Sequence, residues 1–395
     1  MSRRLPAARG GHLLPSSFSS DARRRPRRRV VVGSIATVAL VAGLGATQAI
    51  ASMGYDAARS EVDAAVGDVS VIADTVARDL SELREVTGAA SLLTAQETGP
   101  LVEAAGRDAL SSAVADADEL AVDVDALLAD ASEIPSAGDK PTWFWELFAA
   151  SDRLRVERAN AGELADRLTA QHPDVDASRT TVTDAGIALL SAAAAAAGPF
   201  ETAHVSARDD AIIALRDAAA AITPVTTLDE KAAAAYTALQ DAAAEVVSTE
   251  QAELAEKDGP LRSARLEVES FARSLAPGVL LEFDWSPVVN GAGTGGSMGG
   301  RTTWWWDDPD RAVIELSDSV AERWPSDAST SLVAHEVGHA ISVRCEDMYD
   351  TSTQDSIEKW ATAWAISMGF TDDANGVWAY GYPPQSYIDA AAGCR

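Results

Sequence analysis

The chain is 395 residues long and carries 60 acidic against 32 basic residues, a formal net charge of −28. Nine of the arginines fall within the first 29 residues, which leaves 23 basic against 59 acidic groups beyond them; a surface of that sign excludes nucleic acid and anionic lipid as partners. Ala, Asp and Arg dominate and only four lysines occur, a bias that a GC-rich genome imposes, so the charge by itself identifies no cationic substrate.

Residues 1–29 hold those arginines against a single acid, Asp21, and residues 30–53, Val30 to Met53, hold no charge at all. About 20 apolar residues cross a bilayer. The run is therefore long enough for a transmembrane anchor, and its basic flank places the N-terminal segment in the cytoplasm and everything after residue 53 outside. Ala49-Ile50-Ala51 is the small-x-small site that a cleaved secretory signal would use; signal cores usually run 7 to 15 residues, which favours the uncleaved span. Either way the rest of the chain is expected outside the membrane.

Residues 54–275 are rich in Ala, Asp, Glu, Leu and Val. Val62, Val66, Val69, Ala73, Val76, Leu80 and Leu83 step by fours and threes, the seam of a paired helix. Prolines at 100, 135, 141, 173, 199, 224 and 260 predict a division into helices of roughly 20 to 40 residues, assembled as a bundle or coiled-coil stalk that also admits self-association. His172 and His204 stand alone and read as surface or packing residues. Thr142-Trp143-Phe144-Trp145-Glu146-Leu147-Phe148 is the region's single aromatic cluster, expected to pack between helices, with partner or membrane-surface contact as the sharper alternative.

From residue 276 the composition changes. Val279–Trp285, Thr302–Trp306 and Arg311–Leu316 read as strands, with a Gly-rich segment from Gly291 to Gly300 between the first two. That segment lacks the Gly-Lys-Ser/Thr ending of a phosphate cradle and reads as a hairpin loop or cleft flap. Trp304, Trp305 and Trp306 are candidates for a substrate groove as well as for the core. The strand that immediately precedes the motif helix, Ala312–Leu316, is expected to be the edge along which an extended substrate pairs.

The chemical signal is His335-Glu336-Val337-Gly338-His339, flanked by the uncharged stretches Ser331–Ala334 and Ala340–Val343. On a helix the two imidazoles share a face and can hold one Zn²⁺, while Glu336 reaches a water as general base. That is the apparatus of a zinc peptidase. The remaining histidines, His12, His172 and His204, all lie upstream, so a third ligand after the motif is expected to be a carboxylate. Glu346, Asp347, Asp350, Asp355, Glu358, Asp372, Asp373 and Asp389 are available, and the first three follow the motif helix too closely. Glu358 sits in the next helical period, Ile357–Ile366, on a face of small residues (Ala361, Thr362, Ala365) that permits close approach, and it is the expected ligand. Tyr380, Tyr382 and Tyr387 are candidate donors to a developing oxyanion, with Tyr382 preferred.

With these residues the segment Val279–Phe370 resembles the gluzincin metallopeptidases, and more nearly the small bacterial zincins of the ImmA/IrrE kind. Their second helix carries Glu, then Ala, a polar residue and an aromatic-Ala pair, here Glu358, Ala361, Thr362, Trp364 and Ala365. Thr362 departs from the Asn or Asp usual at its position. The resemblance implies zinc, peptide-bond hydrolysis and a peptide or protein substrate. The expected fold is thus α-rich: an anchor, an Ala-rich helical bundle or coiled-coil stalk, and a small α+β zincin-like domain at 276–395. Cys345 and Cys394, the only two thiols, are expected to pair outside the cytoplasm. The alternative reading is a non-enzymatic envelope protein whose helical region binds a partner while zinc braces the C-terminal domain. A third is a precursor whose helical region covers the cleft until truncation before about residue 276.

Overall fold

The computed structural model describes residues 28–96, 99–136 and 138–395, with side chains from Leu40 onward. The Arg-rich segment 1–29 therefore lies, up to residue 27, outside the described residues. Eleven α-helices and three strands follow in order among the described residues: α1 (Arg28–Thr94), α2 (Ala104–Ser132), α3 (Phe144–Ala203), α4 (Asp209–Ile222), α5 (Glu230–Glu256), α6 (Arg262–Leu275), β1 (Leu280–Ser286), β2 (Gly300–Trp305), β3 (Asp308–Ser317), α7 (Asp318–Glu322), α8 (Asp327–Ser342), α9 (Gln354–Ser367), α10 (Val377–Tyr380) and α11 (Gln385–Ala391). The chain divides into two compact units, Met1–Ala73 with Asp130–Arg167, and Asp74–Ala129 with Leu168–Arg395.

In the first unit α3 runs alongside α1 in the same direction, Gln48 meeting Thr142 at 2.9 Å and Glu61 meeting Arg158 at 3.5 Å. Ala51, Tyr55, Ala58 and Val62 of α1 bury against Leu147, Ala150 and Leu154 of α3. Both sets step by threes and fours, the spacing that keeps one stripe of a helix against its neighbour. Residues 40–46 of α1, by contrast, are exposed on every side.

The second unit carries the rest of the helical region and the α+β domain. The seam continues through Val76, Leu80 and Leu83, all buried. α3 is longer than the prolines predict, because Pro173 and Pro199 lie inside it. A proline costs a helix about 3 kcal/mol through a lost hydrogen bond and a clash. Both rings sit on the exposed face, where freed carbonyls can take water, while Leu168, Val175, Val182, Leu189 and Leu190 bury the opposite side. Among the described residues, α3 is also the helix that is long and apolar enough to cross a membrane by length and composition, with a third of its apolar window buried.

The three strands form one sheet in the order β1-β3-β2, β1 parallel and β2 antiparallel to β3. Phe283 and Ile314 are register partners and point with Leu281, Ala312 and Leu316 into a core that α8 and α9 complete through Val333, Val337, Ile341, Trp360 and Trp364. Because β3 is hydrogen-bonded on both sides, Ala312–Leu316 cannot serve as the edge expected from the sequence; the edge strands are β1 and β2. Val268 and Ala272 of α6 join the same core, so the packing of this domain begins before residue 276. Trp285 Nε1 donates to the fully buried Glu269 of α6 at 3.1 Å, which ties that helix to the sheet. Cys345 and Cys394 form a disulfide that closes a 49-residue separation and pins the C-terminus behind α8 and α9.

Candidate metal centre

α8 starts where Ser326 accepts a hydrogen bond from the Ser329 amide at 3.2 Å, with Asp327 in its first turn. α9 starts likewise at Thr353, which accepts from Ser356 at 3.3 Å. The two helices pack closely because Gly338 carries no side chain: a Cβ there would stand 2.8 Å from the Ala361 carbonyl oxygen. This approach brings the donors of both helices to one point.

His335 Nε2, His339 Nε2 and Glu358 Oε2 form a triangle with sides of 3.2, 3.2 and 3.1 Å, all three residues buried. Zinc bound tetrahedrally at about 2.0–2.1 Å sets its donors roughly 3.3 Å apart, and two imidazoles with one carboxylate are a zinc donor set. The residues therefore fit the ion. Glu358 Oε1 accepts from Gln354 Nε2 at 2.8 Å, which turns the other oxygen toward the histidines. Burial pushes this carboxyl up, but its hydrogen bonds with His335, His339 and Gln354 outweigh burial and hold it well below the usual carboxylate range.

Thr362, the position that departs from the resemblance, occupies the supporting role all the same. Its hydroxyl donates to the Glu358 carbonyl at 2.9 Å and stands 3.3 Å from His335 Nδ1. With its one proton committed to that carbonyl, Thr362 accepts from Nδ1–H, and the His335 Nε2 lone pair then faces the triangle. His339 is held differently. Its Nδ1 has no protein partner among the described residues, and its ring stacks on Trp304 at 5.3 Å with 5° between planes.

Glu336 shares α8 with the two histidines and is 5% exposed. Thr302 of β2 lies 2.7 Å from its carboxyl oxygen and 3.0 Å from its backbone carbonyl. Burial raises the Glu336 carboxyl above its ordinary value, partly offset by the nearby His335 and by the Thr302 hydrogen bond. These groups line a cavity of about 220 Å³ whose further walls are Asn290, Gly300, Arg301, Gln354 and Tyr380. Asn290 Nδ2 donates to the Gly300 carbonyl at 3.0 Å, which places the loop between β1 and β2 at the rim.

Tyr380, rather than Tyr382, stands at this cavity. Its ring stacks over His335 at 6.0 Å, and burial together with the Glu358 and Glu336 carboxylates pushes its phenol up to about 12. Gly381, at φ +78°, turns the chain away immediately afterwards and leaves Tyr382 66% exposed. Tyr387 faces inward, bonding Ser356 at 2.7 Å and meeting Trp360 edge-on. Sequence reasoning also missed Gln354, Thr302 and Gly376. Gly376 has φ +103°, and a Cβ on it would stand 2.3 Å from Thr362 Oγ1 and 2.7 Å from the His335 ring. A polar residue one turn before Glu358 was the available signal for Gln354; nothing local marks the other two. No protein-family model, curated protein or solved structure matches this chain.

Proposed function

We propose that the protein is a membrane-anchored, extracytoplasmic zinc metallopeptidase that hydrolyses peptide bonds, with His335, His339 and Glu358 as ligands. The observation that carries this reading is the placing of a buried carboxyl, Glu336, on the helix that presents two members of the donor triangle, all on one cavity. Zinc, when bound, supplies Lewis acidity toward a carbonyl oxygen and acidifies water. Glu336, raised above its ordinary value by burial, would accept a proton from the attacking water and return it to the leaving amine. Thr302 fixes the orientation of that carboxyl. Tyr380 remains protonated across physiological pH and can donate to a developing oxyanion. β2, whose Gly300, Arg301, Thr302 and Trp304 line the cavity, is an edge strand along which an extended peptide can pair.

The location rests on α1. Its residues 40–46 are apolar, uncharged and exposed on all sides, a surface that water penalises and a bilayer does not. The apolar window of α3 instead contributes Leu189, Leu190, Ala193 and Ala197 to a protein core. The disulfide suits an oxidising compartment.

Glu336→Gln separates catalysis from metal binding. The expected result is one zinc per chain by elemental analysis with peptide-library cleavage reduced by about 10²–10⁴. Zinc-loaded wild type that cleaves no peptide would favour a bracing zinc in a binding protein.

A further inference from the structure

The exposed aromatics Trp143, Trp145 and Phe148 lie where protein contact with α1 ends. The connecting chain climbs along α1 toward its N-terminus. The Gly138 carbonyl accepts from Tyr55 and Arg59 at 3.4 and 3.3 Å, Lys140 Nζ reaches Ser52 and Asp56 at 2.8 and 2.7 Å, and the Thr142 carbonyl accepts from Gln48 at 2.9 Å. Trp143 follows immediately, and α3 turns back the way the loop came. Trp143 and Trp145 stack at 5.3 Å with 2° between planes, 55% exposed each, and Phe148 is 45% exposed on the same first turns of α3. Packing does not explain three large apolar side chains held in solvent by a helix start, since the segment's core contacts are made by Leu147 and Phe144.

The uncharged run of α1 supplies the explanation. From Val30 to Met53 it would be about 36 Å long at 1.5 Å per residue, and a bilayer's hydrocarbon core takes about 30 Å. The surplus is about 6 Å, roughly four residues or one turn, which sets the boundary near residue 50, between the Gln48 and Ser52 contacts of the Trp143 loop. The first charges beyond it, Asp56 and Arg59, are engaged by that loop on the far side from the span. Leu40, Val41, Leu44, Ile50 and Met53 are all exposed. Apolar helix, aromatic collar and then charge is the order of a membrane boundary, where indole rings settle at headgroup level.

We propose that Trp143, Trp145 and Phe148 form an interfacial membrane anchor that seats the first helical unit on the outer leaflet at the level of residues 48–53. The contact is aromatic and does not rest on charge, so it takes a zwitterionic surface. It rests on the anchor reading above.

The test uses the full chain, in which both native cysteines are bonded to each other, with one added cysteine carrying an environment-sensitive fluorophore. Leu44→Cys, Phe148→Cys and Val156→Cys are labelled separately and the protein is reconstituted in phosphatidylcholine vesicles with spin labels near the headgroup or deep in the chains. Leu44 is expected to be quenched several-fold more by the deep label, Phe148 several-fold more by the shallow one, and Val156, exposed two turns further along α3, by neither. Quenching at 44 without quenching at 148 overturns the collar and leaves the span, with the aromatics then assigned to a protein partner. Equal shallow quenching at 148 and 156 also overturns it, because the whole helix would then lie on the membrane. Loss of quenching at both 44 and 148 sinks the anchor reading and the collar together.

Discussion

Asp209 opens α4 with its side chain 4% exposed and Oδ2 without a hydrogen-bond partner among the described residues. Its backbone amide donates to Glu282 of β1 at 3.0 Å, so a second carboxyl stands beside it. Burial is the largest cause and the Glu282 charge the next; together they outweigh Arg311, Arg273 and the helix N-terminus and push Asp209 from 3.8 up to about 7. A raised folded value means that the native state holds the proton more tightly than the unfolded chain. The stability this contributes is complete below pH 4 and is lost as pH climbs through 7. Three units at about 1.4 kcal/mol each give a ceiling near 4 kcal/mol. Glu282, itself raised by burial, would ionise more readily once its neighbour is neutral, which trims that ceiling. Asp209→Asn mimics the protonated acid at all pH values. In urea unfolding of the full chain in micelles, the variant should match wild type at pH 4, gain steadily above it and lead by about 3–4 kcal/mol at pH 8. The wild-type-to-variant difference cancels every other titrating group not in contact with this one. A difference that stays flat from pH 4 to 8, or a variant weaker than wild type at pH 8, would refute the account of a buried, unpaired carboxyl.

Gly376→Ala should cost zinc affinity at least about tenfold in chelator competition, because the added methyl collides with Thr362 and the His335 ring. Gly381→Ala, with open space around it, should leave that affinity within about twofold and cost about 1–3 kcal/mol, the strain of a backbone conformation (φ 78°, ψ 174°) that only glycine adopts readily. Replacing Cys345 and Cys394 by Ser should lower stability by about 4 kcal/mol, the loop entropy of a 49-residue separation, read as a fall in unfolding midpoint that dithiothreitol reproduces in wild type and not in the variant.

What the sequence disclosed followed from periodicity and local chemistry. The step of four between His335 and His339, the small face around Glu358 and the three short strands are local patterns, and the observed elements lie within a few residues of them. The lone cysteine pair left one intramolecular partner for each thiol, and the bond is present. What escaped depends on long-range geometry. Strand order is not encoded in any one strand, so the central place of β3 could not be read from Ala312–Leu316. The course of α3 past Pro173 and Pro199 depends on which face those residues present, which only packing decides. Tyr380 and Tyr382 differ by a single turn at Gly381, and no propensity distinguishes a ring that stacks on His335 from one that points to water.

The electrostatics of the donor triangle argue for a cation more strongly than the motif does. Two imidazole nitrogens 3.2 Å apart cannot present lone pairs to one another without a proton or a positive ion between them, and a carboxylate oxygen at 3.1–3.2 Å from both adds a third acceptor to the same point. Protonated rings relieve this as well as a cation does; Thr362, accepting from the Nδ1 side of His335, makes Nε2 the nitrogen with the lone pair in the neutral ring. Gln354 removes the other Glu358 oxygen from competition, so the carboxylate offers one atom rather than two. Glu336 and Tyr380, the base and the phenol of the proposed reaction, line the cavity that the three donors share. On the proposed reading, the buried Glu336 carboxyl, raised above its ordinary value, would serve as the base there, a role that a bracing site would not use.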